Sequence, residues 1–173
     1  HTIVFARTQR GASRMAEQLR EAGVMAGALH GGLTQGARAR VLAAFKEGSL
    51  PVLVATDVAA RGLDVERITH VINYDIPRDT ESYVHRIGRT GRAGRSGEAI
   101  LFVTPRERRM LRSIERVTNA RLEEMDLPSA DEVNEKRKEK FLAKIGESLG
   151  EKQFEFFRDM VREYSAANNV AMD

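Results

Sequence analysis

The sequence predicts an α/β fold: a parallel sheet flanked by helices, followed by a small α-helical extension. Three observations carry this. Short apolar runs alternate with amphipathic stretches from residue 1 to about 120. The runs are continuously apolar, as strands covered on both faces are. Beyond that point strand signals cease and two long helical patterns follow. The expected domains are 1–120, a linker at 121–128, and a helical extension at 129–173.

The first strand is Thr2-Ile3-Val4-Phe5-Ala6, short and rich in β-branched residues. Residues 10–22 place Met15 and Leu19 four apart, with Ala12 and Ala16 beside them, and stop at Gly23, a helix with its terminal glycine. Val24 to Leu29 is the second strand, closed by Gly31-Gly32. Thr34 opens a helix whose inner face is Val41, Leu42 and Phe45 and which ends at Gly48. Pro51 to Ala55 and Thr69 to Tyr74 are the third and fourth strands. Asp79 or Thr80 caps a helix running toward Gly88, and Gly97 to Val103 is the fifth strand. Residues 106–118 form a helix expected to turn Met110, Leu111, Ile114 and Val117 inward.

Pro128 marks the boundary. Ser129 and Glu132 have capping-box spacing, which starts a helix carrying Val133, Phe141, Leu142, Ile145 and Leu149. Gly150 is expected to break it. The next helix carries Phe154, Phe157, Val161 and Tyr164. Such a hairpin has apolar surface that must pack on something, either the preceding domain or a second copy.

Charge divides along the same boundary. Residues 1–120 carry +7 (19 basic against 12 acidic) and residues 121–173 carry −4 (9 against 13). Arg outnumbers Lys by 22 to 6, which favours bidentate phosphate contact. Cysteine is absent, which excludes a disulfide scaffold and a cysteine zinc site. A reducing, cytoplasmic setting is the expectation. No apolar run is long enough for a membrane helix. The chain opens at His1 inside a strand-like run, and is expected to be a piece of a longer protein.

In a parallel sheet ligands gather at the carboxyl ends of strands, so the loops after Phe5, Leu29, Ala55 and Tyr74 are the ones to read. Between Arg86 and Gly97, arginines recur at 86, 89, 92 and 95 and glycines at 88, 91, 94 and 97. Read as a helical face, the arginines form a positive row able to clamp a triphosphate, and the glycines permit close approach to another surface. The ordinary alternative is a solvated basic or RGG-like segment. Thr56 to Asp64 places a hydroxyl, two carboxylates, an arginine and a glycine after a strand, as either a ligand loop or a plain βα loop with an Asp cap. Gly31-Gly32 before a helix offers amides to a phosphate, with Arg38 in reach, or is a simple helix start.

Taken together, these stretches resemble the second helicase domain of the DEAD-box RNA helicases. Thr56–Asp64 and His85–Arg92 look like motifs V and VI, and Thr2–Thr8 like motif IV. Gln35 and Arg38 match a Q-x-x-R element, and Val71–Pro77 the segment between V and VI. Residues 121–173 resemble the start of the dimerisation region of cold-shock bacterial members.

The resemblance implies a RecA-like domain that closes over a first RecA-like domain of the same polypeptide, with RNA as the partner. It implies ATP with Mg2+, bound mainly by that first domain. No phosphate loop of the G-x-x-x-x-G-K-[ST] type and no Asp-Glu-Ala-Asp box occurs in this sequence. The chain alone is therefore expected not to hydrolyse ATP, and to hold no metal itself. Residue by residue, the resemblance gives Arg89 and Arg92 the γ-phosphate, with Arg92 as the finger. It makes His85 the link between nucleotide and RNA sites and brings Gly62 and Asp64 to the ribose. Arg7, Gly31, Arg38 and Thr56 would hold RNA phosphates. A homodimer would form through Phe154, Phe156, Phe157, Met160, Val161 and Tyr164. Two readings compete: a DNA-directed helicase of the same superfamily, and a nucleic-acid-binding and dimerisation module with no catalytic part.

Overall fold

The structure, a computed structural model, describes residues 1–65, 67–92, 94–149 and 153–168. The chain divides into two compact units, His1–Leu122 and Glu123–Asp173.

The first unit holds five parallel strands: β1 (Thr2–Phe5), β2 (Ala26–Leu29), β3 (Val52–Ala55), β4 (His70–Asn73) and β5 (Glu98–Leu101). Their order in the sheet is β2-β3-β1-β4-β5, so the four strands expected to carry ligand loops sit side by side, from the β2 edge to β4. The helices are α1 (Gln9–Glu21), α2 (Gln35–Glu47), α3 (Asp57–Ala60), α4 (Thr80–Ile87) and α5 (Arg108–Thr118).

Alternation along the strands divides the core in two. Ile3, Phe5, Leu53, Ala55 and Val71 pack with Phe45 of α2, flanked by Val41 and Leu42. Val4, Ala6 and Val54 pack with Ala12 and Ala16 of α1, flanked by Met15 and Leu19. The period of two on strands and four on helices places each set on its own side. Small alanines on α1 let it lie close to the sheet.

The helix ends follow the chemistry of their caps. Thr8 accepts from the Gly11 amide and Thr34 from the Ala37 amide. At the end of α1, the Val24 amide reaches Leu19 and the Gly23 amide reaches Arg20, a Schellman closure. Of the two candidate caps for α4, Asp79 does the work, accepting from the Ser82 amide at 2.7 Å. That amide and the Ser82 hydroxyl hold the Asp79 carboxyl below its usual range.

α5 departs from expectation at its end. Ile114 is buried, and Met110 packs beside it with Leu101 and Leu122. Val117, expected inward, is 59% exposed. It lies in the last turn, and the chain leaves the helix at Asn119 in a left-handed conformation before the covering residue Leu122 arrives.

In the second unit, α6 (Ala130–Leu149) begins at the expected capping box. The Ser129 amide donates to Glu132 at 2.7 Å and the Glu132 amide to the Ser129 hydroxyl at 3.2 Å. α7 (Gln153–Asn168) follows. Gly150, expected to separate the two helices, lies outside the described residues. So do the side chains of Phe154, Phe156 and Phe157. Met160, Val161 and Tyr164 of α7 are exposed, as are Phe141, Leu142 and Ile145 of α6.

Candidate nucleotide and nucleic-acid interface

All four loops singled out emerge at the carboxyl edge of the sheet, because every strand pair is parallel. Each strand end sits about 4.8 Å from its neighbour. Gly31 after β2, Thr56 after β3 and Arg7 after β1 therefore form a row across three adjacent strands. That row suits a repeating chain of phosphates.

The geometry of the row is fixed from beneath. Thr56 is 7% exposed, and its amide donates to Leu29 at the end of β2. It occupies the N-cap of α3, yet its hydroxyl makes no capping bond, which leaves that oxygen available. Arg38 Nη2 donates to the Ala59 carbonyl at 2.9 Å, tying α2 to α3. Arg7 is set differently: its amide donates to Asp75 at 2.7 Å and its guanidinium lies 3.6 Å from Glu107. Gly31 follows His30, whose Nδ1 accepts from the Gly32 amide at 3.2 Å. In the neutral ring the hydrogen is then on Nε2, donated to Ser13 Oγ at 2.8 Å. His30 and Ser13 were not singled out in the sequence. An exposed glycine pair after a strand conceals the buried ring that shapes it.

The arginine-rich segment corrects the sequence reading. α4 ends at Ile87, and Arg89, Arg92 and Arg95 lie beyond it, so they are not a row on a helical face. The glycines beyond the helix end set the path of the loop. Gly91 has φ +67° and Gly94 φ +75°, conformations that L side chains resist. A Cβ on Gly97 would collide with Thr90 Oγ1 and approach the Gly91 amide at 2.7 Å. The close approach is therefore between two parts of the same loop, which folds back on itself. Thr90 Oγ1 donates to the Ile68 carbonyl at 2.6 Å and pins the loop to the body.

Arg86 differs from the other arginines. It is 3% exposed and grips Asp57 with two bonds, Nε to Oδ1 at 2.6 Å and Nη2 to Oδ2 at 2.8 Å. Its Nη1 donates to Asn73 Oδ1 at 3.2 Å and to the Asp75 carbonyl at 2.7 Å. It also lies 5.0 Å from the centre of the Phe5 ring. Four of its five N–H donors are thus engaged within the protein, so Arg86 joins α4 to β1, α3 and β4 rather than meeting a ligand. Asp57 is its counter-ion and not a helix cap. The one available sequence signal was Asn73, a polar residue ending an apolar strand.

Arg89 and Arg92 come together with Leu63 and Asp64. Arg89 Nη1 donates to the Leu63 carbonyl at 2.8 Å. Arg92 Nη1 pairs with Asp64 at 2.8 Å, and its Nε donates to the Gly88 carbonyl at 2.8 Å. Burial and the charge of Arg92 push the Arg89 guanidinium below its ordinary value, with Asp64 opposing. Two cations held close enough to repel are suited to an anion that neutralises both. Gly62 has φ +72° and open space around it, so its backbone conformation, not crowding, demands glycine. A depression of about 220 Å³ is lined by Asp57, Ala60, Arg61, Ser82, His85 and Arg89, above Phe5 and Arg86. His85 is 68% exposed there and only 4.0 Å from Glu81. Among the described residues no cluster of His, Cys, Asp or Glu could hold a metal ion, and no helix is long and apolar enough to cross a membrane.

Comparison with known proteins agrees with this fold. The profile of the helicase conserved C-terminal domain matches residues 1–94, and that of the RNA helicase DeaD dimerization domain matches residues 128–173. The chain is 53% identical over 170 residues to the ATP-dependent RNA helicase DeaD of Mycobacterium tuberculosis, covering 98% of this chain and 30% of that protein. It is 48% identical over 167 residues to the DEAD-box ATP-dependent RNA helicase CshA of Bacillus anthracis, covering 96% and 32%. The chain thus spans about a third of the length of these curated relatives. Among solved structures, a DEAD box protein of Methanococcus jannaschii superposes with a TM-score of 0.68 at 44% identity, over 73% of this chain and 35% of that one. Dbp5 of S. cerevisiae bound to RNA and ADP BeF3 gives 0.68 at 35% identity, over 83% and 38%.

Proposed function

From a chain that belongs to the DEAD-box RNA helicases, as their C-terminal RecA-like helicase domain followed by a DeaD dimerization domain, we propose the following division of work. The first unit closes over a preceding ATP-binding domain, completes the ATP site and grips the RNA backbone. The coupled outcome is local unwinding of an RNA duplex. The observation that carries this is the Arg89–Arg92 pair on a loop locked to the body by Thr90, beside the exposed carboxylate of Asp64.

Arg89 and Arg92 donate to the γ-phosphate as negative charge develops on it. Arg92 exchanges its Asp64 partner for the phosphate, and Asp64 is released toward the ribose beside Gly62. In studied GTPases an arginine finger of this kind is worth about 10³–10⁵ in rate. Arg86 acts one step removed: it orients α4, and so the loop bearing both arginines, against α3 and β4. His85, facing the depression, joins the nucleotide side to the RNA side. Thr56, Arg38 and the Gly31 amide hold successive phosphates, with Arg7 at the end of the row. Such contacts position a strand without reading its sequence. ATP and RNA together favour the closed arrangement, and loss of the γ-phosphate releases it. Mg2+ comes with the ATP on the first domain.

The test is Arg92→Ala in the full-length parent. RNA-stimulated ATP hydrolysis falls at least 10³-fold while ATP binding changes little. Unchanged turnover sinks the assignment. If RNA affinity falls with turnover intact, Arg92 binds nucleic acid, as the non-catalytic reading holds. Stimulation by DNA as strong as by RNA would turn the reading to a DNA-directed helicase.

A further inference from the structure

We propose that the outer face of α5 is a second RNA-backbone surface, continuous with the phosphate row but outside the cleft. The proposal rests on the reading of that row as an RNA track.

The segment from Pro105 to Arg121 holds six arginines and two acids. Both acids are already engaged. Glu107 Oε2 accepts from the Thr104 amide and hydroxyl at 2.9 and 2.7 Å, and its other oxygen faces Arg7. Glu115 Oε1 accepts from the Leu122 amide at 3.0 Å. Arg108, Arg109, Arg112 and Arg116 are all exposed, and among the described residues none meets an acid. At about 100° per residue, these four fall within about 100° of arc. Ile114, the buried residue of α5, points the opposite way. With a rise of about 1.5 Å per residue, the row from Arg108 to Arg116 is about 12 Å long.

Four unpaired guanidiniums on one arc repel one another and favour a polyanion. Arginine meets phosphate or carboxylate bidentately, and two features choose RNA over an acidic protein or a lipid surface. The arc carries no exposed aromatic or aliphatic side chain of the kind that anchors protein interfaces or enters a bilayer. The row also starts beside Glu107, which contacts Arg7, the last member of the strand-end row. An RNA strand leaving the cleft past Arg7 meets α5 next. The surface would bind without sequence preference, and only RNA long enough to reach it would benefit.

The experiment measures binding of this chain to fluorescein-labelled oligo-U, about 10 or about 25 nucleotides long, across a salt series. Arg108→Gln, Arg109→Gln, Arg112→Gln and Arg116→Gln are combined in one variant. Expected is affinity for the short RNA within twofold of the parent, and about tenfold weaker binding of the long RNA. The slope of log K against log salt for the long RNA falls by about 0.7 per lost contact. The pair Arg108→Gln and Arg112→Gln gives about half the change, which guards against a folding defect in the fourfold variant. A control removes four cations from α6: Lys136→Gln, Arg137→Gln, Lys140→Gln and Lys144→Gln. An unchanged slope in the α5 variant, or an equal loss in the α6 control, overturns the proposal. So does poly-glutamate competing as well as RNA, which would point to an acidic protein. Arg38→Ala tests the cleft separately: no effect on the short RNA sinks the track reading, whatever the long RNA shows.

Discussion

The two units of this chain solve opposite problems. His1–Leu122 covers both faces of its sheet and spends a buried arginine on holding four elements together. Glu123–Asp173 leaves Phe141, Leu142, Ile145, Met160, Val161 and Tyr164 open to solvent. A unit that completes its own core can be judged by its internal contacts. A unit whose apolar residues are exposed is defined by what covers them, in keeping with a match to a dimerization domain.

The comparison breaks most sharply at Arg86. Arg86→Ala leaves Asp57 and Asn73 without their partner and opens a hole above Phe5. Stripping one member from a buried, hydrogen-bonded ion pair costs about 3–5 kcal/mol. Asp57 is 41% exposed, so water recovers part of that and the low end is expected. Thermal or urea unfolding followed in the first unit reads the loss. The helix signal of α6 and α7 should not move with it. A change below about 1 kcal/mol would mean that the pair does not hold the loop.

Met160→Asp, Val161→Asp and Tyr164→Asp together form the complementary case. The midpoint of the first unit should stay within about 1 °C, since exposed substitutions change stability by only about 0.5 kcal/mol. Sedimentation velocity over a concentration series should show any dimer become a monomer. If the parent chain is already monomeric throughout, these exposed residues are not sufficient for association in this chain.

The smallest effect sharpens the comparison, because each unit carries one capping box. Thr104 holds Glu107 below its ordinary 4.5, chiefly through the backbone amide and then the hydroxyl. Ser129 does the same for Glu132, whose ordinary value is also 4.5. A carboxyl depressed on folding contributes stability that is fully present above its unfolded value and is lost as pH falls through the folded one. Both contributions should therefore be flat from pH 8 to about 5 and fade below about 4.5. In the first unit the sheet and core hide the loss. In the second, where helix starts matter more, helicity at 222 nm should fall with acid. Glu132→Ala should remove that step while leaving the Glu107 response in place.

Much of this was legible in the chain. Apolar runs of four or five residues, helix caps at Thr34, at Asp79 or Thr80, and at Ser129, and the string from His85 to Arg92 are local features. Their information lies within a few residues of itself. The roles within that string were not legible. Whether an arginine is a structural tie or a ligand contact depends on what stands opposite, and the opposites are distant in sequence. Asp57 lies 29 residues from Arg86, and Asp64 lies 28 residues from Arg92. Glycine spacing suggested close approach to another surface, but α4 already ends at Ile87, and left-handed conformations at Gly91 and Gly94 beyond it fold the loop back on itself. The unpaired face of α5 was hidden likewise, since Glu107 and Glu115 look in sequence like neutralising neighbours. Composition and local pattern thus determined the elements and the family, because short-range sterics and burial period are written in adjacent residues. Only the packed sheet decided which charges were spent and which were left to meet a ligand, because that requires bringing remote carboxylates within about 3 Å.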